Sequence, residues 1–432
     1  MAGHVTLPWR EADLTEHTEA DALARSDRLA EEERAARMEV TAPPLLRLLL
    51  IRLAPDRHRL VVTSHHIVAD GWSTPVMFHE VSALYAAGGD ATALKRAASY
   101  GGYLTWLGHQ DKETARAAWR ADLAGADEPT LVRPAHLNDS AHAVSEEIAL
   151  RLSKESTDAL TDLARLHGLT LNTVAQGAWA LVLARLAGRT DVVFGATVAG
   201  RPAELPGVES MVGLFINTLP VRVRTDGAQP VADLLTGLQR GQSELMAHQH
   251  VGLPEIQAVA GSGAVFDTML MFENYPRDET PPTGPHGLTM TQLRTEAGTH
   301  YPLAVSVVPD ERLQIRVTYR PDLFDRSEAH QVGQWLERTL EHIAATPSTP
   351  VGRIDVLDAS ERDAVVRGWN ATACPVVAGS VVEAFEGWVA RSPDAVAVRC
   401  APEQGLSYVQ LDARASALAR YLMALGVGVE SR

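Results

Sequence analysis

Apolar positions near the start of the chain predict a hairpin followed by a helix. Leu45 to Leu53 and Leu60 to Ser64 are apolar runs separated by Ala54-Pro55-Asp56-Arg57-His58, which reads as a five-residue connection. Both faces of the first run are apolar, so it is expected in a sheet covered on both sides. Ser73 then suits an N-cap, and Met77, Val81, Leu84 and Tyr85 recur at helical spacing until Gly88-Gly89. Ahead of the hairpin, Glu11 to Glu39 is rich in Ala, Glu and Arg, which predicts an exposed helix with charged faces and no evident chemistry.

A helical stretch over Glu113 to Leu123 leads into Gly125 to Asn138, a connector marked by Pro129 and Pro134. The pattern then restarts. Helices are predicted around Leu160 to His167 and from Leu171 to Leu186, each stopped by a glycine, Gly168 and Gly188. Strands follow at Asp191 to Val198, Leu214 to Val223, Phe266 to Phe272, Leu303 to Val308 and Leu313 to Tyr319, with a helix at Val231 to Met246. Asp325 and Glu328 form a capping-box signal for a helix running to about His342. Mixed strands and helices on both sides of a connector predict two α/β lobes, 1–124 and 125–345. A proline-punctuated linker, 346–379, precedes a tail, 380–432, in which Val381 to Val389 and Leu411 to Leu425 flank a short strand at Ala395 to Val398. About fifty residues do not readily make an independent core.

Composition narrows the function. With 46% hydrophobic and 22% charged residues the chain is globular rather than disordered. Its 39 Lys+Arg against 54 Asp+Glu give a net charge of −15, and no basic patch offsets that, which argues against a nucleic-acid partner. Two cysteines, Cys374 and Cys400, make no disulfide framework and lack metal-ligand spacing. No apolar run approaches the roughly 20 residues of a membrane helix, and the acidic start lacks the order of a signal peptide. The expectation is a cytoplasmic protein with no membrane partner.

The chemistry concentrates in Ser64-His65-His66-Ile67-Val68-Ala69-Asp70-Gly71-Trp72-Ser73, where a strand hands over to a helix. Strand alternation puts His66 on the side of Leu60 and Val62 and His65 on the other, so one imidazole faces a given cavity. A histidine can take or steer a proton near neutral pH when its ring is oriented. Asp70 can order the loop by accepting hydrogen bonds or pairing with an arginine, and Gly71 allows a tight turn at positive φ or close substrate approach. A zinc site is disfavoured, because it needs three or four ligands and nothing nearby completes the set. A pair of satisfied core histidines is the other reading, less attractive at such a junction.

His65-His66-x-x-x-Asp70-Gly71 resembles the signature of the condensation domains of nonribosomal peptide synthetases, in the chloramphenicol-acetyltransferase-like superfamily. Further stretches resemble that family's motifs in order: Tyr100 to Trp106; Val212-Gly213-Leu214-Phe215-Ile216-Asn217-Thr218-Leu219; His248 to Glu255; Phe266-Asp267-Thr268 with Phe272 to Pro276; and His300 to Leu303, which lacks the usual Arg-Asn lead-in. Leu406 to Asp412 looks like the opening of an adenylation domain. Packing alone explains Tyr100 and Trp106, and a solvated helix end explains His248 and His250. Asn217 divides evenly between function and structure, because an amide on a buried strand needs specific partners.

The resemblance implies two chloramphenicol-acetyltransferase-like lobes in a V-shaped pseudo-dimer. It implies amide formation between a donor acyl or peptidyl thioester and the α-amine of an acceptor aminoacyl thioester. Both are carried on phosphopantetheine arms of donor and acceptor peptidyl carrier proteins within a synthetase of several modules. No cofactor or metal is bound by the chain itself. His66 is then the catalytic residue, helped by the Gly71 N–H at the thioester oxygen, while His65, Asp70, Trp72, Ser73 and Asn217 form the surrounding motif. Alternatives are epimerisation, another acyl transfer of the superfamily, or a docking module without turnover. Two family motifs, S-x-A-Q-x-R-M-like and R-H-x-x-L-R-T-like, do not occur in residues 1–64. The first lobe is therefore expected to be incomplete, and Asp70 to lack the arginine that the missing segment supplies.

Overall fold

The computed structural model describes residues 5–134, 144–274, 287–291, 293, 299–374, 379–399, 405–429 and 431. Cys400 and the Tyr275-Pro276 pair lie outside the described residues. The chain divides into two compact units, Met1–Leu357 and Asp358–Arg432.

The first unit holds two α/β lobes. The smaller begins with β1 (Trp9–Asp13), α1 (Glu19–Ala35), β2 (Leu46–Ala54), β3 (Arg57–Ser64) and α2 (Ser73–Ala86). β1 pairs parallel to β2, and β2 and β3 form an antiparallel hairpin in which Ala54 opposes Arg57. Only Pro55 and Asp56 therefore connect the strands, not five residues. The stretch expected to be an exposed charged helix supplies both an edge strand and a packed helix. Its α1 buries Ala22, Ser26 and Glu33 against the sheet. Glu33 pairs with Arg10 and Arg47, and Arg59 donates to Ser26 and Asp27, so charges that read as solvated fasten the helix down. Only one face of the hairpin is covered. Leu49 and Ile51 sit under α1 with Leu14 and Ala22, whereas Leu60 and Val62 on the opposite face are exposed.

Two helices follow, α3 (Tyr100–Gly108) and α4 (Lys112–Asp122). Sequence order places them in the first lobe, but their side chains pack into the second. Trp119 and Leu123 share a cluster with Val193, Leu219 and Phe266, and Tyr103 packs on Met211 and Phe215. By packing, the lobes divide near residue 99. The expected connector is tied down as well: Thr130 Oγ1 accepts from the Val193 N–H, and the Asp267 carboxylate accepts from the Val132 and Arg133 N–H groups.

The second lobe continues through β4 (Glu146–Arg151), α5 (Lys154–His167), α6 (Leu171–Ala187), β5 (Asp191–Val198), β6 (Asn217–Arg224), α7 (Val231–Leu245), α8 (Leu253–Ala260), β7 (Thr268–Phe272), β8 (Leu303–Val308), β9 (Gln314–Tyr319) and α9 (Arg326–Ala345). The strands form one mixed sheet in the order β4-β9-β8-β7-β5-β6. β7 is parallel to β5 and β8, and the remaining pairs are antiparallel. Helix α6 is buried nearly all round, with Trp179 fully enclosed. Asp325 and Glu328 close a complete capping box on α9. Part of the expected linker belongs to this lobe: Val351, Ile354 and Val356 are buried in its core.

The second unit contains α10 (Ala359–Asp363), α11 (Val381–Arg391), β10 (Val396–Arg399), β11 (Gly405–Ser407) and α12 (Tyr408–Ala424). Among its described residues none is buried.

Candidate functional site

The double-histidine loop runs from the end of β3 to the start of α2 and is pinned at both ends. At the first, the His65 N–H donates to the Leu45 carbonyl (3.0 Å), extending the hairpin by one bond. Inside the loop the Val68 N–H donates to the His65 carbonyl, and the Ile67 N–H to His65 Nδ1 (3.2 Å). A ring nitrogen that accepts is bare, so neutral His65 carries its proton on Nε2. His66 follows the end of β3, in a turn closed by that Val68 bond, so strand alternation does not extend to it. It is exposed, and no group among the described residues hydrogen-bonds its ring.

At its second end the loop meets the other lobe. Asp70 is buried, and its carboxylate receives four donors. Oδ1 accepts from the Ser73 N–H (2.9 Å), the Ser73 hydroxyl (2.8 Å) and Arg201 Nη2 (3.2 Å), while Oδ2 accepts from the Phe215 N–H (3.0 Å). The Asp70 N–H donates to the Gly213 carbonyl (3.2 Å). An arginine from a further segment is thus not needed to balance this carboxylate. Arg201, just after Gly200 in the second lobe, fills the place, and the expectation of an unpaired Asp70 is corrected.

Arg201 explains its own burial. Its side chain is 4% exposed, and Nη1 donates to the carbonyls of Val208 and Met211. The guanidinium lies 4.0 Å over the Phe215 ring and 5.6 Å from that of Trp72. Burial pulls its pKa below the usual arginine range, and the facing Asp70 charge opposes that pull. Trp72 Nε1 reaches the Glu209 carbonyl across the lobes (3.0 Å). Tyr100 donates its hydroxyl to the Leu214 carbonyl (2.6 Å), and its ring packs edge-on to Phe215. A Cβ on Gly213 would lie 2.2 Å from the Tyr100 ring, so only glycine permits this approach.

Two expected roles change. Ser73 is the first residue of α2 rather than its N-cap; Trp72 stands at the cap without a side-chain bond. Gly71 is not among the described glycines at positive φ, so the turn does not use that freedom. Among the described residues no carbonyl accepts from its N–H.

Asn217 opens β6 and bonds the loop after α7. Its Nδ2 donates to the Gln249 carbonyl (2.9 Å) and the Val251 carbonyl (2.8 Å), while Trp119 Nε1 holds the His248 carbonyl (3.0 Å). The His250 ring sets its edge on Trp106, its centroid 6.4 Å away. The structure therefore brings Asp70, Trp72 and Ser73 together with residues 201–215, ties His65 within the loop, leaves His66 exposed, and gives Asn217 to a separate clamp. Arg201 escapes sequence reading because a Gly-Arg-Pro stretch has no periodic signal. The nearest hint is a lone arginine set between Gly200 and Pro202 just past the end of an apolar strand. Among the described residues no cluster of acidic, histidine or cysteine side chains could hold a metal, and no helix is long and apolar enough to cross a membrane.

The chain is 36% identical over 436 residues to a linear gramicidin synthase protein of Brevibacillus parabrevis, covering 98% of this chain and 5% of that protein. It is 38% identical over 432 residues to another linear gramicidin synthase protein of the same organism, covering 98% and 8%. The chain thus spans a small part of the length of these relatives. Among solved structures, a four-domain nonribosomal peptide synthetase bound to AMP and glycine superposes with a TM-score of 0.71 at 16% identity, over 98% of this chain and 33% of that one. The first condensation domain of the calcium-dependent antibiotic synthetase, with a substrate analogue, gives 0.66 at 21% identity, over 82% and 79%. These two share the fold, an α/β architecture of the chloramphenicol-acetyltransferase type. A family model described as the condensation domain matches residues 2–366, from β1 past the end of the first unit, with the pinned histidine loop inside it, and the chain belongs to that family.

Proposed function

We propose that the chain forms an amide bond between two carrier-bound thioesters. The α-amine of the acceptor attacks the donor carbonyl, the C–S bond breaks, and the donor's phosphopantetheine thiol leaves with a proton. The observation that carries this reading is the loop itself: both ends are fixed by hydrogen bonds while the His66 ring stays exposed and unpartnered among the described residues. Such a ring is available to order the amine or accept its proton. Holding amine and thioester together supplies up to about 7–11 kcal/mol, whereas general-base help gives about 100-fold to 10,000-fold, so positioning carries more of the rate. The Gly71 N–H, unpaired among the described residues, suits the developing oxyanion. Asp70, Ser73, Trp72 and His65 hold the loop.

The chain's partners in this reading are donor and acceptor carrier proteins and neighbouring modules in the cytoplasm. We read the second unit as the start of an adenylation domain. The four-domain synthetase aligns with 98% of this chain and the single condensation domain with 82%, a difference of about the size of that unit. Exposed Leu60, Val62, Phe78, Val81 and Tyr85 mark surface that a fuller first lobe would cover.

The test supplies the purified chain with donor-loaded and acceptor-loaded carrier proteins. Amide product is expected, and His66→Ala is expected to lower its rate at least about 100-fold. Product at an unchanged rate overturns the role of His66. The exposure of His66 favours one competitor, a recruitment module: binding of both carriers without product supports it. Release of a D-configured aminoacyl group without amide would support epimerisation.

A further inference from the structure

We propose that Ser73 is a positioning residue for the histidine loop, its hydroxyl joining the bonds that fasten that loop to the second lobe into one buried network. Ser73 is fully buried. Its Oγ lies 2.8 Å from Asp70 Oδ1 and 3.0 Å from the Gly213 carbonyl, with the Gly213 N–H at 3.1 Å and Arg201 Nη2 at 3.3 Å. A hydroxyl has one proton and two lone pairs. Its proton goes to Asp70, the shorter of the two acceptor contacts, and its lone pairs accept from the Gly213 N–H and Arg201. One atom thus touches both ends of the Gly213 residue, the buried carboxylate and its cation. The Ser73 N–H also holds Asp70, so the same residue fixes the carboxylate from two sides.

The lobes' packing gives this atom leverage. The first lobe's apolar core consists of Leu14, Ala22, Leu49 and Ile51, with Ala12, Leu29, Leu53 and Val61 beside them, all on its own elements. The loop's hold on the second lobe is polar: Asp70 and Ser73 converge on Gly213, Phe215 and Arg201, and Trp72 Nε1 reaches the Glu209 carbonyl beside them. Removing the hydroxyl strands the buried Gly213 N–H and takes one donor from Asp70, whose own N–H binds the same glycine. The first end of the loop, at Leu45, is untouched. His66 then keeps its attachment to the hairpin, while the loop's hold on the second lobe is reduced to the Phe215, Gly213 and Arg201 bonds of Asp70 and the Trp72 bond to Glu209.

The experiment is hydrogen exchange on the full chain, read by mass spectrometry for Ser73→Ala against wild type. Peptides covering 66–73 and 211–216 are expected to exchange faster together, by roughly tenfold or more, with a peptide inside α6 unchanged. In the condensation assay the same variant is expected to lower kcat with KM for both carriers unchanged, since the hydroxyl touches neither substrate. Unchanged exchange, or acceleration of only one of the two peptides, overturns the proposal. Should Ser73→Ala not fold, a urea series on wild type decides: the two peptides must open in one event below the global one, and separate openings overturn the proposal. Only the kinetic arm rests on the catalytic reading of His66. If exchange behaves as expected while His66→Ala leaves product formation unchanged, that reading fails and the fastening stands.

Discussion

The two lobes of the first unit are built from the same kinds of element and differ in how they are held. The second lobe wraps a six-stranded sheet around α6 and α9, with fully enclosed side chains such as Trp179, Phe194 and Leu183. The first lobe has three strands, one covered face and four buried apolar residues in its core. Burial of apolar area is what resists local opening, so the first lobe opens more easily than the second. Yet the histidine loop grows from the first. The loop combines the two: it grows out of the thin lobe, and its second end is held by the backbone of Gly213 and Phe215 in the thick one.

The largest test of that contrast is Asp70→Ala. It removes the acceptor of four donors and leaves the Arg201 guanidinium buried with carbonyls and a hydroxyl for company. Uncompensated buried charge costs about 3–5 kcal/mol. Because the loss falls at the seam, denaturant melts should split, with the first lobe's peptides exchanging well before those of α6. A single cooperative transition shifted as a whole would show that the lobes are not separately held.

Asn217→Ala gives the complementary, intermediate effect, confined to the thick lobe. Its amide satisfies two carbonyls of the 246–252 loop, each bond being worth about 1 kcal/mol, so a loss of about 1–3 kcal/mol is expected. The exchange of residues 246–252 should rise while the 66–73 peptide stays as in wild type. Acceleration at the histidine loop would show that the clamp and the seam are one network.

Legibility in the sequence follows the same division. Strands β5 and β8 match their predicted ranges, and the α9 cap is visible in Asp325 and Glu328, because burial on both faces and local capping leave periodic, short-range signals. The thin lobe is less legible. Charges on α1 look solvated because pairing with Arg10, Arg47 and Arg59 is set by tertiary approach. The lobe boundary escapes for a related reason, since α3 and α4 follow the first lobe in sequence and pack on the second. The double histidine and Asp70-Gly71 are legible as a motif. Arg201 is not, because a partner 131 positions away is chosen by the fold and not by spacing.

The smallest effect, and the one that probes where the thick lobe touches α3, is that of pH on His250. Its Nδ1 faces the Ala247 carbonyl at 3.2 Å, and since a carbonyl only accepts, the proton sits on Nδ1. Nε2 is then a bare lone pair, buried without a hydrogen-bond partner among the described residues. Burial lowers the His250 pKa, opposed by its bond to Ala247; nearby His248 and Lys112 push the same way as burial, while Asp111 pushes against it. In the folded state the ring therefore resists protonation more than in the unfolded chain, so the unfolded state binds more protons below the ordinary histidine value of about 6.5. The stability it contributes is complete above that pH and declines as pH falls through it. His250→Phe keeps the contact with Trp106 and cannot titrate, so its melting temperature should fall less than that of wild type between neutral pH and about pH 5. Parallel curves for the two proteins would mean that the ring is already free to protonate in the folded state, and that the contact with Trp106 does not enclose it.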